Sequence, residues 1–195
     1  MISNPLRKRT EEIFVALARP LHRLGVSPDL LTRAGLLLTL CAAGLLAFGH
    51  QRIAGVVIIP ASLFDALDGA LARLGGKTTP YGAFLDSTLD RWAEIALYLG
   101  LLYWYTQRGA KLEIVLIYLT IAGSLMVSYT RARAEGLGIE CKVGLFTRLE
   151  RLITLIAGLL LQLMPWALGV LALFTNLTAV QRLWHMRQMT KERRE

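Results

Sequence analysis

Four aspartates set the chemistry open to this chain: Asp65 and Asp68, then Asp86 and Asp90, on either side of the stretch GGKTTPYG. On helices, Asp65 and Asp68 (three apart) share a face, and so do Asp86 and Asp90 (four apart). Gly69, Ala72 and Arg73 continue the first stripe, and Gly82 precedes Asp86 by one turn. Two apolar helices joined by that turn would gather four carboxylates beside two glycines and an arginine. Hard oxygen ligands of this kind select Mg²⁺ or Mn²⁺, and an arginine fork at their edge suits phosphate. Each carboxylate would cost about 2.5 to 3.5 kcal/mol at a bilayer centre. Only Arg73 and Arg91 are near enough in sequence to neutralise them, so bound cations are the expected compensation.

The elements that must position these groups are membrane spans. With 195 residues, 54% of them hydrophobic, and a mean hydropathy of +0.48, the chain is expected to form one membrane domain over residues 1–195. The expected architecture is all-α: an interfacial amphipathic helix over 3–24, then a bundle of six transmembrane helices over 30–186. Hydropathy and turn signals place the spans at about 30–49, 53–74, 82–106, 112–134, 148–165 and 167–186, with the turn Met164-Pro165-Trp166 between the last two. In the first helix, Ile13, Phe14, Leu17, Leu21 and Leu24 form an apolar stripe. Arg7, Lys8, Arg9, Arg19 and Arg23 would meet anionic headgroups, and Pro20 would kink or break the helix. Ser27 or Asp29 would cap the next helix, whose free N–H groups favour phosphate.

The net charge of +8 does not point to nucleic acid. The basic residues flank apolar spans, with Arg52, Arg108 and Lys111 alone on one side of the membrane. The positive-inside rule therefore puts both termini and the aspartates toward the cytoplasm of a cell membrane, the carboxylates lying roughly 10 Å below its face. Cys41 and Cys141 have no disulfide or zinc spacing, and the charged first thirty residues do not read as a cleavable signal.

The pattern Asp65-x2-Asp68-Gly69-x2-Ala72-Arg73-x8-Gly82-x3-Asp86-x3-Asp90 resembles, at every position, the signature of the CDP-alcohol phosphotransferases. The resemblance implies a membrane enzyme that moves a phosphatidyl-type group from a CDP-linked lipid to an alcohol and releases CMP. It further implies that Asp65, Asp68 and Asp86, with Asp90 touching one of the ions, hold two metals. Asp90 is the expected general base, while Gly69, Ala72, Arg73 and Gly82 contact the nucleotide. Pro28-Asp29-x2-Thr32 is similar to the family's stretch beside the nucleotide, so Asp29 and Thr32 join that set. Small-residue helix packing is the competing role for the two glycines. Such enzymes are typically homodimers in the membrane.

A second basic group bears on the acceptor. Arg131, Arg148, Arg151 and Arg182 gather by sequence at the same cytoplasmic mouth and would suit a phosphate on the acceptor, against the alternative of orientation charge partnered by Glu135 and Glu150. These segments resemble the phosphatidylinositol-phosphate synthase branch, although Arg131, Thr147 and Leu149 stand where lysine, glutamate and proline are common there. The expected substrates are CDP-diacylglycerol and inositol 1-phosphate, with glycerol 3-phosphate as the alternative acceptor. A divalent-cation transporter would use the same carboxylates, but Ile95 to Tyr105 offer it no polar path.

Overall fold

A computed structural model describes residues 4–76 and 79–192, with side chains described over 14–76 and 79–191. The described residues form seven helices: α1 (Asn4–Arg23), α2 (Pro28–Ala47), α3 (Gln51–Leu74), α4 (Pro80–Gln107), α5 (Lys111–Glu135), α6 (Arg148–Leu161) and α7 (Met164–Glu192). No strand occurs among the described residues. Ser27 caps α2, its side chain accepting from the Leu30 N–H, and Pro28 enters the first turn; a proline there sacrifices no intrahelical bond. Thr79 and Pro80 begin α4 in the same way.

Among the described residues, four helices are long and apolar enough to cross a bilayer: α2, α3, α5 and α7. The other two expected spans differ for identifiable reasons. α4 has 28 residues, but Asp86, Asp90, Arg91 and Glu94 crowd its first half. α6 has 14 residues, about 21 Å at 1.5 Å per residue, and ends at Leu161 rather than near Pro165. Gln162 there adopts a left-handed conformation (φ 59°), and the Leu163 N–H returns to the Gly158 carbonyl. The turn is therefore Gln162-Leu163, and Met164, Pro165 and Trp166 already belong to α7. Nor does Pro20 break α1, which runs on to Arg23.

The main core joins Leu46, Ile58, Tyr98, Leu101, Ile117, Leu155, Leu159, Leu168 and Leu171 from six helices. A second cluster packs Phe14, Ala18 and Leu21 of α1 on Leu67, Ala70 and Leu71 of α3, so this part of α1's apolar stripe faces the aspartate-bearing end of α3. The expectations for Arg7, Lys8, Arg9 and Ile13 fall outside the described side chains. Glycine permits the closest helix contacts: a Cβ on Gly100 would sit 2.2 Å from the Ala43 carbonyl oxygen, and one on Gly123 2.3 Å from Thr175 Oγ1. α2 packs against both α3 and α4, whereas α3 and α4 make no close backbone contact with each other among the described residues. The space between them is where the site forms.

Candidate active site

α3 brings Asp65 and Asp68 to its final turns, and α4 brings Asp86 and Asp90 to its first turns. Asp65, Asp68 and Asp86 each offer a carboxylate oxygen within 4.8 Å of the other two. Asp68 is buried and accepts a hydrogen bond from Thr32 Oγ1 at 2.6 Å. Asp90 lies outside this triad, one turn further along α4, with its carboxylate against that of Asp65. Arg148, at the start of α6, ties the two together. Its Nη1 lies 2.8 Å from Asp65 Oδ2 and its Nη2 2.6 Å from Asp90 Oδ1. Arg91 adds a longer contact to Asp90 at 3.3 Å and donates to Ser128 Oγ of α5 at 2.8 Å.

A cavity of about 80 Å³ continues inward from these groups. Thr32, Asp65, Asp86, Asp90 and Arg148 line one part, Glu94 and Arg151 another, and Ile58, Leu97, Tyr98 and Leu155 close it with apolar surface. Its charged end is thus a row of carboxylates faced by guanidinium groups, at the junction of four helices. Such an arrangement can hold a divalent cation, orient a phosphate and accept a proton within a single space.

Several expected residues sit apart from the cavity. Asp29 is exposed in the first turn of α2. Arg73 is exposed, and a Cβ built on Gly69 would meet Arg73 Nη1 at 3.5 Å and nothing of another helix. A Cβ on Gly82 would meet the side chain of its own cap, Thr79. Neither glycine is a packing contact, so both leave helix backbone bare near the carboxylates, with Ala72 half-buried beside them. Arg131 is exposed and paired with Glu135 at 2.8 Å. Arg182 is buried and donates to the carbonyls of Val143 and Val127, within electrostatic range of Arg131 and Arg151. Arg148 and Arg151 line the cavity, but Arg131 and Arg182 do not. Glu150 partners the Thr147 backbone in a capping box rather than an arginine.

Glu94 went unnoticed in the sequence although it continues the stripe of Asp86 and Asp90 by another four residues. It receives Nε and Nη2 of Arg151 at 2.8 and 3.0 Å and Ser124 Oγ at 2.7 Å.

The family model for CDP-alcohol phosphatidyltransferase matches residues 25–180. The chain belongs to this family. Among curated relatives of this phosphatidyltransferase, the archaetidylinositol phosphate synthase of Methanothermobacter thermautotrophicus is 39% identical, with 87% of each chain covered. The phosphatidylinositol phosphate synthase of Mycobacteroides abscessus is 35% identical over 93% of this chain and 86% of its own. Among solved structures, the phosphatidylinositol phosphate synthase of Mycobacterium tuberculosis with CDP-DAG bound superposes with a TM-score of 0.80 at 33% identity, covering 90% of this chain and 94% of that one. The same enzyme has been solved in complex with manganese and citrate (TM-score 0.79, 32% identity, 89% and 88% covered).

The donor set of this phosphatidyltransferase fits such a metal. Asp65, Asp68 and Asp86 offer hard oxygen ligands alone, close enough to converge on one ion, as Mg²⁺ and Mn²⁺ prefer.

Proposed function

We propose that this enzyme transfers the phosphatidyl group of CDP-diacylglycerol to inositol 1-phosphate, giving phosphatidylinositol phosphate and CMP. The observation that carries this is the convergence of Asp65, Asp86, Asp90 and two arginines on one cavity, with Asp68 completing a carboxylate triad beside Asp65 and Asp86. Its acceptor is further supported by relatives that cover nearly the whole chain.

Asp65, Asp68 and Asp86 would hold the cation, two ions in all, with Asp90 able to reach one of them. Bound Mg²⁺ or Mn²⁺ supplies positive charge against the diphosphate and acidifies an oxygen ligand. Thr32 orients Asp68 by donating to one of its oxygens. Gly69, Ala72 and Gly82 allow the nucleotide to approach helix backbone, and exposed Arg73 reaches its diphosphate, with Asp29 at the same end of α2. The acceptor hydroxyl oxygen attacks the lipid-side phosphorus. A new P–O bond forms as the bridging P–O bond breaks, and CMP carries away the electron pair. Asp90 takes the hydroxyl proton, its carboxylate oriented by Arg148. Arg148 and Arg151 face the acceptor phosphate inside the cavity, and Arg131 and Arg182 contribute positive potential from outside it.

In the membrane, α2 to α7 form six spans with the carboxylates toward the cytoplasm, α1 lies at the interface, and two copies assemble as a homodimer. The test is CMP release by purified protein in detergent with Mg²⁺ and CDP-diacylglycerol. Inositol 1-phosphate and glycerol 3-phosphate are supplied separately, with Asp90→Asn as control. Release with inositol 1-phosphate is expected; release with glycerol 3-phosphate alone would replace the acceptor and keep the reaction.

A further inference from the structure

Two arginine–carboxylate rungs cross the gap between α4 and α6, whose backbones make no close contact among the described residues. The first is Arg148 on Asp90, partly open, with 43% of the arginine side chain exposed. The second, one turn further along both helices, is Arg151 on Glu94. It is a closed rung: 2% of the Arg151 side chain is exposed, and the Glu94 carboxylate accepts from Nε, Nη2 and Ser124 Oγ. Pairing through Nε and Nη2 uses one edge of the planar guanidinium and leaves Nη1 on the other side. Nη1 of Arg151 is buried and without a hydrogen-bond partner, on a residue that lines the cavity. Buried polar atoms are nearly always paired, and an exception calls for a ligand or a role. A rung that served only to join α4 to α6 would need no free nitrogen.

We propose that Glu94 is a positioning residue for the transfer: it grips Arg151 by one edge so that Nη1 donates to a phosphate oxygen of the acceptor within the cavity. This rests on the proposed phosphorylated acceptor. The pair is neutral as a whole, so Arg151 is held in an apolar setting without an uncompensated charge, while its free donors keep a fixed direction. Ser124, donating from α5, sets the carboxylate plane and therefore the guanidinium plane. Arg148 stands nearer the reacting atoms, and Arg151 holds the far end of the acceptor.

The full chain in detergent decides this, by KM for inositol 1-phosphate, KM for CDP-diacylglycerol, kcat and thermal midpoint, for Glu94→Gln, Arg151→Gln and the double variant. The loss of one charge-assisted hydrogen bond predicts a rise in acceptor KM of about 10- to 100-fold, with the KM for CDP-diacylglycerol within about twofold of wild type. The double variant should be no worse than Arg151→Gln, because Glu94 acts through Arg151. Glu94→Asp should recover part of the loss. An unchanged acceptor KM, additive effects, or a parallel rise in both KM values with a fall in thermal midpoint would overturn the proposal in favour of a plain structural tie. Should Glu94→Gln not fold, Ser124→Ala keeps the pair and loosens its plane. A smaller rise in acceptor KM then supports the proposal, and no rise overturns it. Wild-type turnover separates the two levels: if glycerol 3-phosphate alone is used, the acceptor assignment fails, and the same KM comparison with that substrate still judges Glu94.

Discussion

Replacing Arg148 by glutamine should lower transfer and tighten metal binding at the same time. The side chain makes two charge-assisted contacts, 2.8 Å to Asp65 and 2.6 Å to Asp90. Such bonds are worth about 1.5–3 kcal/mol each when well shielded. Only the Asp90 end is well shielded, with 10% of that side chain exposed against 29% for Asp65, so the Asp65 contact falls toward about 0.5 kcal/mol. Together they give about 2–3.5 kcal/mol of orientation for Asp90, or about 30- to 400-fold in kcat/KM at 1.36 kcal/mol per factor of ten. The metal responds in the opposite sense, because removing a cation leaves the carboxylates more negative. A unit charge about 4 Å away is worth up to about 4 kcal/mol at an effective dielectric constant of 20. Partial exposure and salt reduce that to about 1 kcal/mol, or about fivefold tighter Mn²⁺ binding. The assays are CMP release under saturating Mg²⁺ and Mn²⁺ titration by calorimetry on the same preparation. A variant within threefold of wild-type kcat/KM, or one that loses metal affinity and activity together, would refute the role assigned to Arg148.

Two substitutions of glycine by alanine should separate chemistry from packing. Gly69→Ala meets nothing of another helix, so its thermal midpoint should stay within about 2 °C. Its KM for CDP-diacylglycerol should rise about tenfold or more if nucleotide lies on that backbone; unchanged kinetics would remove Gly69 from the site. Gly100→Ala would drive a Cβ to 2.2 Å from the Ala43 carbonyl oxygen, an overpacking that costs about 1–3 kcal/mol. Its thermal midpoint in detergent should fall by about 3–10 °C, whereas Gly169→Ala, with open space around its Cβ, should not move it.

The carboxylates were legible in the sequence because helical spacing, turn residues and an apolar background all agree there. Helix starts were legible for the same reason: Ser27-Pro28 and Thr79-Pro80 are local capping signals with a fixed geometry. The end of α6 was not, since the left-handed residue is Gln162 and no glycine marks it. Partners distant in sequence were also hidden. Local spacing offers Arg73 and Arg91 as counter-charges; Arg91 does reach Asp90, but the closer contacts come from Arg148, 83 residues from Asp65. The basic group split for a similar reason: composition could gather Arg131, Arg148, Arg151 and Arg182 at one end of the bundle, but not tell cavity-lining guanidiniums from one paired on the surface and one spent on backbone carbonyls. Glycines posed the same difficulty. Gly100 and Gly123 pack against neighbours while Gly69 and Gly82 do not, and only the facing helix distinguishes them.

The brevity of α6 has a consequence for the lipid around it. A helix of about 21 Å is shorter than a hydrocarbon layer of about 30 Å, and its first residue, Arg148, already stands at the level of the carboxylates. In the proposed membrane placement, with the carboxylates roughly 10 Å below the cytoplasmic face, α6 fills only the remaining depth, and the cytoplasmic water boundary dips toward the cavity above its first turn. A soluble sugar phosphate then descends a few ångströms into a local dent, and a lipid diphosphate rises little to meet it. The two substrates differ in the phase they inhabit, and a helix too short for its surroundings brings the phases together.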